Sequence, residues 1–125
     1  PKVSSGKRRS ALTVMFSDPQ IALVGQKFNE LKSSQFAIGQ VSFENQGRSK
    51  VMLVNKGILR VYGEKKSGLF LGAEMIGPAV EHLGHLLSWA HQQQLTISQM
   101  LEMPFYHPTI EEGLRTALRD VNSKL

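Results

Sequence analysis

The period of the apolar positions changes between the two halves of the chain. In the first half, short β-branched runs alternate with polar breaks, as in half-buried strands. Leu12-Thr13-Val14-Met15-Phe16 predicts a strand broken by Ser17-Asp18-Pro19, and Ile21-Ala22-Leu23-Val24 predicts a second ending at Gly25. Phe28 and Leu31, three apart, predict a short amphipathic helix over 27–33. Phe36 to Phe43 alternates with period two, residues 44–49 read as a polar loop around Gly47, and 50–54 fit a short helical turn. Ile58 to Tyr62 and Leu69 to Ile76 predict two more strands, joined by a hairpin loop over 63–68. The last strand is almost continuously apolar, which predicts a central place in the sheet.

In the second half the period lengthens. Gly77-Pro78 closes the strand region, and Val80, Leu83, Leu87 and Ala90 form a stripe that predicts a helix from Ala79 to about Gln92. His82, His85, Leu86 and Trp89 fall on a neighbouring face of it. Such a helix has two surfaces to satisfy, one against its own sheet and one against a partner chain. Thr96 is the predicted N-cap of a helix over 97–102, which Met103-Pro104 stops. Leu114, Leu118 and Val121 are the inner stripe of a last helix from Ile110 to about Asn122. Strands first and helices last predict an α+β domain, an antiparallel sheet flanked by helices. Residues 1–10, polar and basic, read as a linker or tail from a preceding domain, with the folded domain over 11–125. A start at Pro1 rather than Met points to a fragment or a processed product.

Composition narrows the function classes. A chain of 125 residues, 41% of them hydrophobic, can bury one core. No apolar run approaches the ~20 residues that cross a bilayer, and the basic cluster Lys7, Arg8 and Arg9 is not followed by a signal-peptide core. A cytoplasmic protein without membrane association is expected. The absence of cysteine excludes disulfides, thiolate zinc sites and a redox cysteine pair within this chain. The net charge of +5 is modest, and no nucleic-acid partner is expected. His82 and His85 lie three apart on one helix, but no third ligand stands at metal-motif spacing, so no metal is expected.

The candidate chemistry lies in Phe105-Tyr106-His107-Pro108-Thr109-Ile110-Glu111-Glu112. Two readings are open. Thr109 with Glu112 three residues later spells a capping box, in which the carboxylate bonds the backbone and His107 is a bystander. Alternatively, Glu112 orients the imidazole of His107, making a general acid/base that serves a group on another domain or subunit. Phe105 and Tyr106 would then wall the site, although core packing is their default.

Three motifs carry a family resemblance. Residues 16–25 (Phe-Ser-Asp-Pro-Gln-Ile-Ala-Leu-Val-Gly), 71–78 (Leu-Gly-Ala-Glu-Met-Ile-Gly-Pro, with Glu81 beyond) and His107-Pro108-Thr109 with Glu112 occur in one order and spacing. From about Leu12 onward the chain resembles the C-terminal dimerisation domain of flavin-dependent pyridine-nucleotide disulfide oxidoreductases, most closely the dihydrolipoamide dehydrogenases. Glutathione reductase shares the His-Pro-Thr element, but Asp18-Pro19 fits dihydrolipoamide dehydrogenase better. Mercuric reductase shares the Asp-Pro motif but lacks this histidine motif.

The resemblance implies a homodimer whose preceding domains bind FAD and NAD and carry a redox cysteine pair. No cofactor would bind this domain alone, and the isolated domain would be inactive. It further implies that His107 deprotonates a dithiol such as dihydrolipoamide, that Glu112 polarises His107, and that the backbone of His107 and a cis Pro108 approaches the flavin of the other subunit. Lipoyl domains of 2-oxoacid dehydrogenase complexes would be further partners, and redox homeostasis the broad role. The interface is expected around His82, His85, Leu86 and Trp89. Two departures from the family pattern, a short turn over 77–81 and bulky Phe105-Tyr106 before the histidine, bear on the shape of the substrate cavity. The alternative from another class is a non-enzymatic, self-associating interaction domain in which His107 and Glu112 only cap a helix.

Overall fold

A computed structural model describes residues 1–125. Five antiparallel strands form one sheet: β1 (Leu12–Met15), β2 (Gln20–Gly25), β3 (Phe36–Ser42), β4 (Ile58–Glu64) and β5 (Phe70–Gly77). Their spatial order is β1-β2-β5-β4-β3, so the near-continuous apolar strand β5 takes the middle, as its sequence predicts. Four helices follow the strands or interrupt them: α1 (Gly47–Val51), α2 (Val80–Gln92), α3 (Ile97–Leu101) and α4 (Glu111–Asn122). The α+β class is the one expected, and none of the helices is long and apolar enough to cross a membrane.

Helix α2 lies across β1, β2 and β5, and α4 lies across β3 and β4, both on the same face of the sheet. The alternation of the strands decides which residues meet them. Ala22, Val24, Leu59, Val61, Ala73 and Met75 point to the helices and are buried. There they meet Val80, Leu83 and Leu87 of α2 and Leu114, Leu118 and Val121 of α4, in one continuous core. The intervening positions Ile21, Leu23, Ile58, Tyr62 and Glu74 line the opposite, open face. On that face Glu74 accepts hydrogen bonds from the Tyr62 hydroxyl at 2.5 Å and the Phe28 amide at 3.0 Å.

Two local expectations are corrected. Residues 27–33 form no amphipathic helix but a single 3₁₀ turn at Phe28–Glu30. The Phe28 ring is drawn to Phe36 and Tyr62 on the open face, its centroid 6.0 and 6.2 Å from theirs, and Leu31 is already extended. The predicted loop over 44–49 is a 3₁₀ turn at Phe43–Asn45 running into α1, which therefore starts before the expected residue 50. Its cap is Gln46, whose side-chain oxygen accepts from the Ser49 amide at 2.8 Å, in the role that Ser, Thr, Asp or Asn more often fills. By contrast Thr96 and Gln99 build the capping box of α3 at the expected place.

Two glycines are required by close approach. At Gly77, with φ +156°, a Cβ would lie 2.6 Å from the Phe43 ring. At Gly39 a Cβ would lie 2.1 Å from the Ala117 carbonyl oxygen and 2.5 Å from the Val121 nitrogen, both backbone atoms of α4. Helix α4 also covers the edge of β3: Asp120 accepts from the Gln40 amide and Lys124 donates to the Ile38 carbonyl, each at 2.9 Å. An edge strand so engaged is a poor template for pairing with another chain. Gly39→Ala is expected to destabilise the domain by about 1–3 kcal/mol, the usual cost of overpacking, read as a lower urea midpoint. Gly47→Ala, where a Cβ would meet nothing within 4 Å, should stay within about 1 kcal/mol of wild type on helix propensity alone.

Candidate active site

The segment between α3 and α4 carries His107. The peptide His107–Pro108 is cis, as the resemblance implies; Asp18–Pro19 is cis as well. The following residues do not cap α4 in the expected way. Ile110 occupies the N-cap position without a side-chain cap, while the Thr109 hydroxyl turns back to donate to the Tyr106 carbonyl at 2.6 Å. Half of the capping box does form: the Thr109 amide donates to Glu112 Oε2 at 3.1 Å.

Glu112 also holds the histidine. His107 Nδ1 lies 2.9 Å from Oε2 and 3.0 Å from Oε1. A carboxylate only accepts, so Nδ1 carries the proton. Arg115, one turn on, donates from Nη2 to Oε1 at 2.8 Å. Cap and ring pair thus coexist on one carboxylate, whose two oxygens offer about four acceptor sites. The Glu112 side chain is 15% exposed and the ring of His107 is 82% exposed. Its second nitrogen, Nε2, has no partner in the chain. The arrangement is a half-buried acceptor, fixed by several donors, presenting an open imidazole.

Electrostatics follow from these contacts. The Thr109 amide, with smaller help from the His107 ring and Arg115, holds the Glu112 carboxyl below its ordinary range against the opposing effect of desolvation. Hydrogen bonds to the charged form have this effect.

Sequence reading missed two supporting residues. Gln46 is buried, and its amide donates to the Thr109 carbonyl at 2.7 Å, tying the loop to the start of α1. The only sequence signal was a glutamine at a helix start not recognised as one. Arg115 could have been found from its spacing, three residues after Glu112 on the same helix. Its guanidinium also sits over the Phe105 ring, 5.6 Å from the centroid. Phe105 is half-buried against the core, but Tyr106 is 83% exposed, which corrects core packing for that residue.

The expected interface residues share the outer face of α2. Trp89 is 64% and Leu86 41% exposed, and His82 and His85 are exposed beside them. His85 stacks edge-on against Trp89 and approaches the Glu81 carbonyl at 2.6 Å through Nδ1. Leu86 and Trp89 continue into an apolar groove of about 290 Å³ that Met103, Phe105 and Leu114 also line. Nowhere in the chain do three His, Cys, Asp or Glu side chains converge as metal ligands would.

Because Glu112 binds its proton less readily when folded, its stabilising contribution is present above the ordinary carboxylate range and is lost as pH falls through that range to the lowered value. A carboxyl-carbon NMR titration of Glu112 should give a midpoint below that of a model glutamate. Glu112→Gln should flatten part of the acid limb of the stability profile; an ordinary midpoint would contradict the geometry.

Comparison with known proteins places this architecture. The family described as "Pyridine nucleotide-disulphide oxidoreductase, dimerisation domain" matches residues 11–118. The chain is 30% identical to a dihydrolipoyl dehydrogenase of Haloferax volcanii over 105 residues, which is 82% of this chain and 22% of that protein. It is 28% identical to the Rhizobium etli dihydrolipoyl dehydrogenase over 88% of this chain and 23% of that protein. The chain thus spans less than a quarter of the length of these curated relatives. Among solved structures, LpdA of Mycobacterium tuberculosis superposes with a TM-score of 0.83 at 18% identity, over 94% of this chain and 26% of that one. The HOCl-induced flavoprotein disulfide reductase RclA of Escherichia coli superposes with a TM-score of 0.79 at 19% identity, over 93% and 26%. The chain belongs to the pyridine nucleotide-disulphide oxidoreductase family, in which it is a dimerisation domain.

Proposed function

We propose that this domain pairs two subunits of a flavin-dependent dithiol/disulfide oxidoreductase, of dihydrolipoyl dehydrogenase type, and supplies the partner's active site with an acid/base. The observation that carries the reading is the open ring of His107, held through Nδ1 by Glu112 with Nε2 unengaged.

The chemistry follows from the tautomer. With the proton on Nδ1, the Nε2 lone pair can take the proton of an incoming thiol, and Glu112 stabilises the imidazolium that results. The S–H bond breaks as the N–H bond forms, and the thiolate then attacks one sulfur of a disulfide. The departing sulfur can recover the proton from Nε2. Since this chain has no cysteine, that disulfide lies elsewhere in the enzyme.

FAD and NAD, held in other domains, would supply electron transfer from the reduced pair to the nicotinamide. The backbone of His107 and Pro108 makes no hydrogen bond within the chain and lies exposed, which fits an approach to the flavin of the partner subunit. The apolar face of α2 at Leu86 and Trp89, with His82 and His85 beside it, fits the paired surface. Lipoyl domains are the natural donors of such a dithiol.

In the flavoenzyme containing this domain, His107→Gln should slow dithiol oxidation by about 10²-fold or more while bound flavin is unchanged by absorbance. Turnover at the wild-type rate would refute the role of His107. Trp89→Ala should weaken dimer association by about 2 kcal/mol or more, as aromatic hot spots do, read by sedimentation equilibrium. An unchanged dimer constant would move the interface off this face.

A further inference from the structure

The carboxylate of Glu112 is divided between an imidazole and a cation. His107 Nδ1 lies 2.9 and 3.0 Å from its two oxygens, while Arg115 donates from Nη2 to Oε1 at 2.8 Å. Arg115 stands one turn along α4 from Glu112, and its side chain is only 31% exposed. Its guanidinium also rests on an aromatic ring, 5.6 Å from the centroid of Phe105. Phe105 is half-buried against the core and lines the apolar groove beside α2, which makes it a fixed seat. A planar guanidinium can stack on a ring and still donate along its edge, a combination that a lysine ammonium on a flexible stem does not reproduce. Arg48 of α1 and Arg119 of α4 line the same groove as His107, Glu112 and Arg115, but neither bonds the carboxylate or the ring. These are the charged groups that face His107, and Arg115 is the one cation paired with its carboxylate.

We propose that Arg115, seated on Phe105, is a positioning residue for the acid/base pair: it fixes Oε1 of Glu112 and shares the carboxylate's charge, so that an imidazolium formed at His107 releases its proton readily. The inference rests on the acid/base reading of His107 and names what regulates that site. The ring must be uncharged to take a proton from a thiol and must later give it back to the departing sulfur. An unshared carboxylate beside an imidazole favours the imidazolium, and a histidine that keeps its proton cannot accept another. A carboxylate given wholly to a guanidinium would leave the ring unsteered. Division of the two oxygens lies between these limits. Nδ1 stays oriented, and the positive charge on the far partner of the carboxylate opposes the charging of the ring.

Titration of His107 in the 125-residue chain tests this without turnover. The chain has four histidines, and the ring signal missing in H107Q identifies the one to follow by NMR. R115Q should move its midpoint to higher pH by a few tenths of a unit, the scale of one charge acting through a largely solvated site. Added salt should shrink that shift. R115K, which keeps the charge, should stay nearer to wild type. F105L keeps apolar volume but removes the π face, and should reproduce part of the R115Q shift; F105Y, which keeps the face, should not. In the wild type the Phe105 ring current should displace the Arg115 side-chain protons upfield, a check on the seat that needs no variant. A His107 midpoint in R115Q equal to wild type or lower would overturn the proposal, as would an R115K shift as large as that of R115Q. Wild-type titration in F105L, or ordinary Arg115 proton shifts, would remove the seat. In the flavoenzyme, the acid limb of the kcat/KM profile for dithiol oxidation should follow the titration to higher pH in R115Q. A titration that moves while the acid limb stays would uphold Arg115 as the residue that tunes the ring and count against His107 as the base.

Discussion

The contact on which the site depends is the seating of α4 against β3 at Gly39. No side chain fits between the glycine and the helix backbone at Ala117 and Val121. That approach fixes the height and rotation of α4 over the sheet. Asp120 and Lys124 fix it laterally by bonding the outer edge of β3. Once α4 is placed, so is its first turn, and Glu112 stands where it can reach both the Thr109 amide and the ring of His107. Buried Phe43, packed against Gly113, and Gln46, bonded to the Thr109 carbonyl, brace the same turn from the side of α1. The position of the imidazole is thus set by sheet and helix packing rather than by the loop that carries it.

Most of the architecture is legible because most of it obeys a period. The strands alternate, α2 and α4 carry stripes at three- and four-residue spacing, and β5 reads as central because both its faces are covered or half covered. The failures lie where a tertiary contact outweighs a local signal. The pair Phe28 and Leu31 has helical spacing, yet Phe28 gains more from the aromatic rings of Phe36 and Tyr62 across the open face. Residues 47–49 look like loop because the helix they open starts at a glycine and is capped by a glutamine. Thr109 has the right letter for a cap, but its hydroxyl finds the Tyr106 carbonyl instead.

The site itself was legible only in part. His107 and Glu112 stand out by type and spacing, and the family resemblance attaches a chemistry to them. Their support does not: Gln46 lies 63 positions from the carbonyl it holds, and nothing local in the sequence announces that pairing. The exposure of Leu86, Trp89 and the His107 ring has a common physical sense. A contiguous exposed apolar face is a surface another chain can cover, and an imidazole nitrogen without a protein partner is free to exchange a proton. Under the proposed role a second subunit covers the apolar face, and the acid/base chemistry uses the nitrogen.

Helix cap and ring anchor both call on one carboxylate, that of Glu112. They do not compete, because the acceptor has more lone pairs than either donor uses. Oε2 takes the Thr109 amide and Nδ1 of His107, while Oε1 takes Arg115 and shares the ring proton. A carboxylate bonded only to the ring would be free to swing with it. One that also anchors a backbone amide is held by the start of α4, and the ring inherits that rigidity. The amide is moreover the largest influence keeping the carboxyl ionised, so the bond that caps the helix also preserves the negative charge an imidazolium needs beside it. Under the proposed role, cap and catalytic partner are therefore one device, and a change that loosens the first turn of α4 weakens both.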